Sequence, residues 1–203
     1  NEKGSKEWDK TIGGNSDDVL KCITETHDGN FMIGGCTCSA PSANRKSKVM
    51  GNYDYWVVCL SPTGEILWER TYGEDTDDKL LSIQSIGDGG YVLTGNSSII
   101  NWERNKCITV NRIIKIDADG NELWEEIVVP DKKGYLSSSG IVCTSDSCLM
   151  VFGHSLNQTA ESDEALSAAS TIDCYLMKFS QKHPWYREEY ITNKADSAKE
   201  QQA

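Results

Sequence analysis

The sequence predicts an all-β chain of roughly a dozen strands, arranged as repeats of four short strands. Three observations lead there. Nine identities recur 60 residues later without a gap: Trp8, Thr11, Gly13, Asp17, Asp18, Ile23, Asp28, Gly29 and Gly35 return as Trp68, Thr71, Gly73, Asp77, Asp78, Ile83, Asp88, Gly89 and Gly95. Asp-Gly dipeptides separate segments of alternating polarity, which is the strongest short-range hairpin signal. No segment sustains a 3.6-residue apolar period, and only residues 163–169 (DEALSAA) look locally helical.

The second copy shows the unit most clearly. LWERTY alternates apolar and polar, LLSIQSI follows an acidic turn, GYVLTG follows Asp88-Gly89, and RIIKID ends in Asp119-Gly120-Asn121. A third copy is weaker: Trp124 opens it, Ile141 and Asp146 hold its middle, and Gly153 matches Gly35 and Gly95. Trp185 opens a partial fourth. The sequence thus divides into an N-terminal tail (1–7), repeats at 8–67, 68–123 and 124–184, a closing strand at 185–193 and a charged tail at 194–203. The recurring Trp is a large apolar group suited to the gap between neighbouring sheets. The recurring Gly35, Gly95 and Gly153 imply a bulge or close backbone approach. The acidic pairs Asp17-Asp18 and Asp77-Asp78 are expected to accept local backbone N–H bonds rather than hold calcium.

Composition narrows the function classes. The chain has 203 residues and a formal net charge of -11, with 20 Lys+Arg against 31 Asp+Glu. That balance disfavours nucleic acid and anionic membrane surfaces as partners. No apolar run is long enough for a transmembrane helix. No catalytic signature appears: there is no G-x-S-x-G, H-E-x-x-H, Walker loop or dinucleotide fingerprint. His27, His154 and His183 are scattered. Eight cysteines include no C-x-x-C pair, and DADGNE lacks the acidic ligands of a calcium loop, so no metal or cofactor is expected.

The pattern W-x-x-T-x-G-G-x-x-x-D, then D-G-[GN]-[YF]-x-x-x-G, then D-Y-W-V-V-x-L-x-x-x-G-x-I-x-W carries a resemblance. It reads here as WDKTIGGNSDD, DGNFMIGG and DYWVVCLSPTGEILW, then WERTYGEDTDD, DGGYVLTG and NRIIKIDADGNELW. It resembles the propeller-like repeats of secreted and cell-surface proteins of Bacteroidota and related bacteria, often cargo of the type IX secretion system. The resemblance covers residues 8–124 well and 124–190 loosely; the third copy has gained residues in its first turn, and QKHPW has lost the Gly. It implies a β-propeller-like array of about three four-stranded blades, as a partial propeller or part of a larger ring. A β-trefoil is the alternative three-repeat fold. It further implies an extracellular or surface location and no catalytic machinery travelling with the repeat. Closed propellers have ~4–8 blades, so blades from elsewhere or a protein partner are expected to complete the ring.

An extracellular setting makes a disulfide between Cys143 and Cys148 a candidate, since they flank a predicted hairpin turn. Asn96-Ser97-Ser98 and Asn157-Gln158-Thr159 fit the N-glycosylation pattern, and Asp196-Ser197-Ala198 resembles an O-glycosylation acceptor of Bacteroidota. Binding is expected in three irregular loops, 39–53, 96–109 and 154–172, which occupy equivalent positions and should gather on one face. The first is basic in an acidic protein and offers Arg45, Lys46 and Lys48; the second offers Trp102, Arg104 and Lys106. Two functions follow. One is a non-catalytic scaffold or binding module for a protein or glycan. The alternative is a carbohydrate-active propeller enzyme using a carboxylate pair, for which Glu65, Glu69, Glu122, Glu125 and Glu126 near the Trp turns supply acids.

Overall fold

A computed structural model describes residues 4–101, 106–129, 134–158 and 170–179. Eleven strands lie among them: β1 (Asp18–Glu25), β2 (Phe31–Thr37), β3 (Asp54–Leu60), β4 (Ile66–Tyr72), β5 (Asp78–Ser85), β6 (Tyr91–Asn101), β7 (Lys106–Ile116), β8 (Glu122–Val128), β9 (Gly134–Cys143), β10 (Leu149–Gln158) and β11 (Ser170–Phe179). They form three antiparallel meanders, β1-β2-β3-β4, β5-β6-β7-β8 and β9-β10-β11, here called sheets 1, 2 and 3. The chain is all-β and propeller-like, with three separate sheets stacked face to face. No closed barrel, and so no trefoil, forms among the described residues. The helical-looking 163–169 and the closing segment at Trp185 lie outside the described residues.

Burial follows position within each sheet. In sheet 1 the edge strands β1 and β4 are partly exposed, while β3, DYWVVCL, is buried throughout. A strand covered on both faces reads as a continuous apolar run rather than an alternation. One cluster joins Met32, Tyr55, Val57 and Tyr72 of sheet 1 to Leu80, Ile83, Leu93 and Ile114 of sheet 2. A second joins Val92, Ile113 and Trp124 of sheet 2 to Ile141, Leu149 and Val151 of sheet 3. Both faces of sheet 2 are therefore packed.

The recurring glycines have a shared cause. Gly35 pairs with Leu20, Gly95 with Leu80 and Gly153 with Ser138, each beside a register shift in the first strand of its sheet. A Cβ at these positions would land on the carbonyl oxygens of Val19, Lys79 and Ser137. The extra residue of the bulge pushes that carbonyl toward the second strand, and only Gly leaves room.

Sheets and sequence repeats are offset by one strand. The Trp68 segment is β4, the last strand of sheet 1, and the Trp124 segment is β8, the last of sheet 2. Each reaches over the following sheet. A Cβ on Gly120, in the β7–β8 turn, would sit 2.8 Å from the Trp68 ring. Tyr72 and Val128, four residues beyond each Trp, join the clusters of the next sheet. The first segment repeats this docking: Trp8 lies over Gly64 and donates from Nε1 to the Pro62 carbonyl at 3.0 Å, while Ile12 packs near Trp56 and Val58. Residues 4–14 nonetheless belong to no strand.

Candidate functional site

The β2–β3 connection, the end of β6 and the start of β7 lie at one end of the array, while the residues joining β6 to β7 and β10 to β11 lie outside the described residues. The β4–β5 connection returns to that end too. Between sheets 1 and 2 these segments enclose an open groove of about 460 Å³, lined by Met50, Gly51 and Asn52, by Asp75, Thr76 and Asp77, and by Ser98 and Cys107.

Backbone contacts hold its walls together. The Asp78 N–H donates to the Tyr53 carbonyl at 2.6 Å, and the Ser98 N–H to the Asp77 carbonyl at 2.8 Å. The Thr76 hydroxyl donates to the Ser98 carbonyl. Lys79 lies 3.5 Å from Asp77 and 5.1 Å from the centre of the Tyr53 ring, and the Tyr53 hydroxyl donates to Asp17 at 3.2 Å. Carboxylates, an amide and hydroxyls thus share the groove with the exposed Met50 side chain. Such a lining accepts bonds from hydroxyls or ammonium groups and repels anions.

A buried polar layer begins at the strand ends near the groove. Asp78 accepts from the Glu74 N–H at 2.9 Å, and its equivalent Asp18 accepts from the Gly14 N–H at 2.7 Å, as expected for the recurring acids. Asp54 accepts from the Met50 and Gly51 N–H groups at 2.6 and 3.2 Å. Arg112 is buried, with Nε 3.5 Å from Asp78, Nη2 3.7 Å from Glu74 and Nη1 3.3 Å from Glu125. Tyr55 donates to the Arg112 carbonyl at 3.1 Å. Burial pushes the Asp54 and Asp78 carboxyls above the usual carboxylate range, against the pull of Arg112. These two acids are fully buried and committed to backbone donors and a guanidinium, which differs from the water-accessible acid pair of a glycosidase.

The predicted contact residues divide. Lys46 and Lys48 are exposed on the β2–β3 loop. Arg45 is not: it is 2% exposed and donates to the Ser39 carbonyl, so it braces the loop from within. Its charge acts on Asp18, Asp54 and Glu69. Glu69 organises the same loop by accepting from the Lys46 and Ser47 N–H groups and the Trp56 indole N–H. Trp102 and Arg104, and the side chain of Lys106, lie outside the described residues. Asn52 falls in the 39–53 loop that the sequence offered for binding, but sequence reasoning missed Asp75 and Asp77 as groove residues. The signal was available in the topology, because a fourth-to-first strand loop must return to the end that carries the second-to-third loops.

Cys143 pairs in register with Leu149, while the Thr144 N–H bonds to the Cys148 carbonyl. The two cysteines are therefore one step out of opposition, point to opposite faces and stand as free thiols. The Asn96 side chain is committed to Ser137 and Ser138 of sheet 3, which removes it as a glycosylation acceptor in the folded chain. His154 stacks edge-on against Tyr135 at 6.0 Å. The chain matches no known family model and no curated protein sequence.

Proposed function

We propose that the chain is a non-catalytic surface or secreted propeller-like module of the Bacteroidota type that binds a protein or glycan through the loop end. The observation that carries this reading is the groove of about 460 Å³, walled by the β2–β3 and β4–β5 loops and by β6 and β7 near their shared end, with backbone bonds joining its walls. Recognition surfaces are commonly placed on loops held by a rigid scaffold. The paired Asp75 and Asp77 select hydroxyl-rich or cationic groups, so a glycan or a basic peptide segment fits better than a phosphate or sulfate ester.

The test is retention on immobilised neutral glycans and Lys-rich peptides, comparing the wild type with Asn52→Trp, which fills the groove from an exposed position. At least one probe should be retained by the wild type and at least tenfold more weakly by the variant, with unchanged melting. Retention that survives filling of the groove would move binding elsewhere. Turnover of chromogenic glycosides that disappears in Asp75→Asn and Asp77→Asn would replace the reading with the carbohydrate-active alternative.

A further inference from the structure

The two junctions between sheets repeat each other at the hairpin-turn end, opposite the groove. The β1–β2, β5–β6 and β9–β10 turns share one bonding pattern, so Thr26, Ile86 and Thr144 are equivalent, as are Asp28, Asp88 and Asp146. After each turn the second strand opens on Phe31, Tyr91 or Leu149. Where sheet 1 meets sheet 2, Tyr91 closes the junction. It is buried with Met32 and Cys59, and its hydroxyl lies beside Thr26 and in the field of Asp28.

Where sheet 2 meets sheet 3, the same seat is not filled. Leu149 stands in the place of Tyr91 and Val92 in the place of Met32, two shorter side chains in one cluster. A pocket of about 320 Å³ lies there, and its walls include Ile86, Asp88, Val92, Trp124, Cys143 and Leu149. A ring does return on Phe179, the ladder partner of Leu149, without closing the pocket.

The walls set the chemistry of a ligand. Ile86, Val92, Leu149 and the Trp124 ring present apolar surface. Apolar cavities that water fills poorly take up small aromatic rings, and small-molecule sites begin at ~300 Å³. One charged group shares the wall. Asp88 accepts from the Lys115 ammonium and from the Gly90 N–H at 3.0 Å. Burial alone would raise its pKa, but those donors hold it below the usual carboxylate range. An ionised carboxylate has about four acceptor positions, so it can take a further hydroxyl. It also repels a ligand that carries a carboxylate of its own.

We infer that the pocket between sheets 2 and 3 binds a small neutral phenol, whose ring takes the place that Tyr91 holds between sheets 1 and 2 and whose hydroxyl donates to Asp88. The site is separate from the groove at the loop end and stands whether or not that groove binds.

Titration of the full chain with 4-methylphenol, followed by methyl resonances, tests this. Those of Ile86, Val92 and Leu149 should shift saturably. The 4-methylbenzoate ion, with a carboxylate in place of the hydroxyl, should bind roughly tenfold more weakly or worse. Leu149→Tyr restores the ring of the equivalent junction. It should abolish the 4-methylphenol response at Ile86 and Val92 and raise the melting temperature, because the side chain fills an existing void. Val92→Met narrows the pocket from the opposite wall and should weaken binding in the same direction, a readout that does not need Leu149→Tyr to fold. No saturable shift at those methyls in the wild type would overturn the inference. So would binding that persists undiminished in either folded variant, and so would equal affinity for the benzoate, which would remove Asp88 as the partner of the hydroxyl.

Discussion

Ser147 adopts φ 58°, while the equivalent turn positions Gly29, Gly64, Gly89 and Gly120 lie at φ 79°, 80°, 84° and 79°. All five hairpins share one hydrogen-bond pattern, as in Thr26 N–H to Asn30 carbonyl, Gly29 N–H to Thr26 carbonyl and their counterparts at Thr144. This is a type I turn followed by a residue in the left-handed region, where a side chain costs roughly 1–2 kcal/mol. Ser147→Gly should stabilise the protein by about 0.5–1 kcal/mol, because the relief exceeds the extra flexibility Gly gives the unfolded chain. A higher urea midpoint with unchanged slope would show it. Glu69 makes a prediction of the opposite sign. Burial alone would raise its pKa, but donations from Trp56, Lys46 and Ser47 and the charge of Arg45 hold it below the usual carboxylate range. A depressed folded-state pKa contributes stability that is complete above the unfolded value of ~4.3 and is lost as pH falls through the folded value. Glu69→Gln should therefore cost about 1–3 kcal/mol near neutrality and progressively less in acid. Denaturation midpoints measured from pH 3 to 7 should converge at the acidic end.

At the scale of the element, the outermost strand is a clamp between sheets. Trp68 belongs to sheet 1 by hydrogen bonding and to the β7–β8 turn of sheet 2 by packing, where Gly120 gives it room. Trp68→Ala should cost about 2–3 kcal/mol, below the ~3–5 kcal/mol of fully buried aromatic truncations because the ring is half-buried. Combined with Gly120→Ala, it should cost less than the sum of the two single losses, since both act on one contact. A double-mutant cycle from urea melts reads this directly. The clamp also explains what was legible in the sequence. The Trp period, the Asp-Gly hairpins and the bulge glycines are local signals, and they placed the strands. The offset between repeat and sheet was not legible, because the ladder joining β4 to β3 rather than to β5 leaves no mark on spacing. Arg45 shows the same limit at the loop end. A basic loop in an acidic protein reads as a contact surface until Arg45 is seen to be buried, donating to the Ser39 carbonyl and acting by its charge on Asp18, Asp54 and Glu69.

For the whole molecule, a linear stack of sheets predicts graded rather than uniform stability. Each sheet contacts its neighbours, so its stability is its own term plus one interface term per covered face. Sheet 2 has two such faces, and Val92, Leu93, Ile113 and Ile114 in its middle strands are fully buried. Sheet 1 has a covered and a partly open face, with Ile23 67% exposed on β1. Sheet 3 turns Phe152 and Leu176, 44% and 63% exposed, to the outside. Amide exchange by partial opening should therefore be slowest in β6 and β7, faster in β2 and β3, and fastest in β10 and β11. Hydrogen exchange of the dilute protein would resolve that order. Equal protection across the three sheets would mean that they open as one cooperative unit, with interface terms large enough to erase the differences between them.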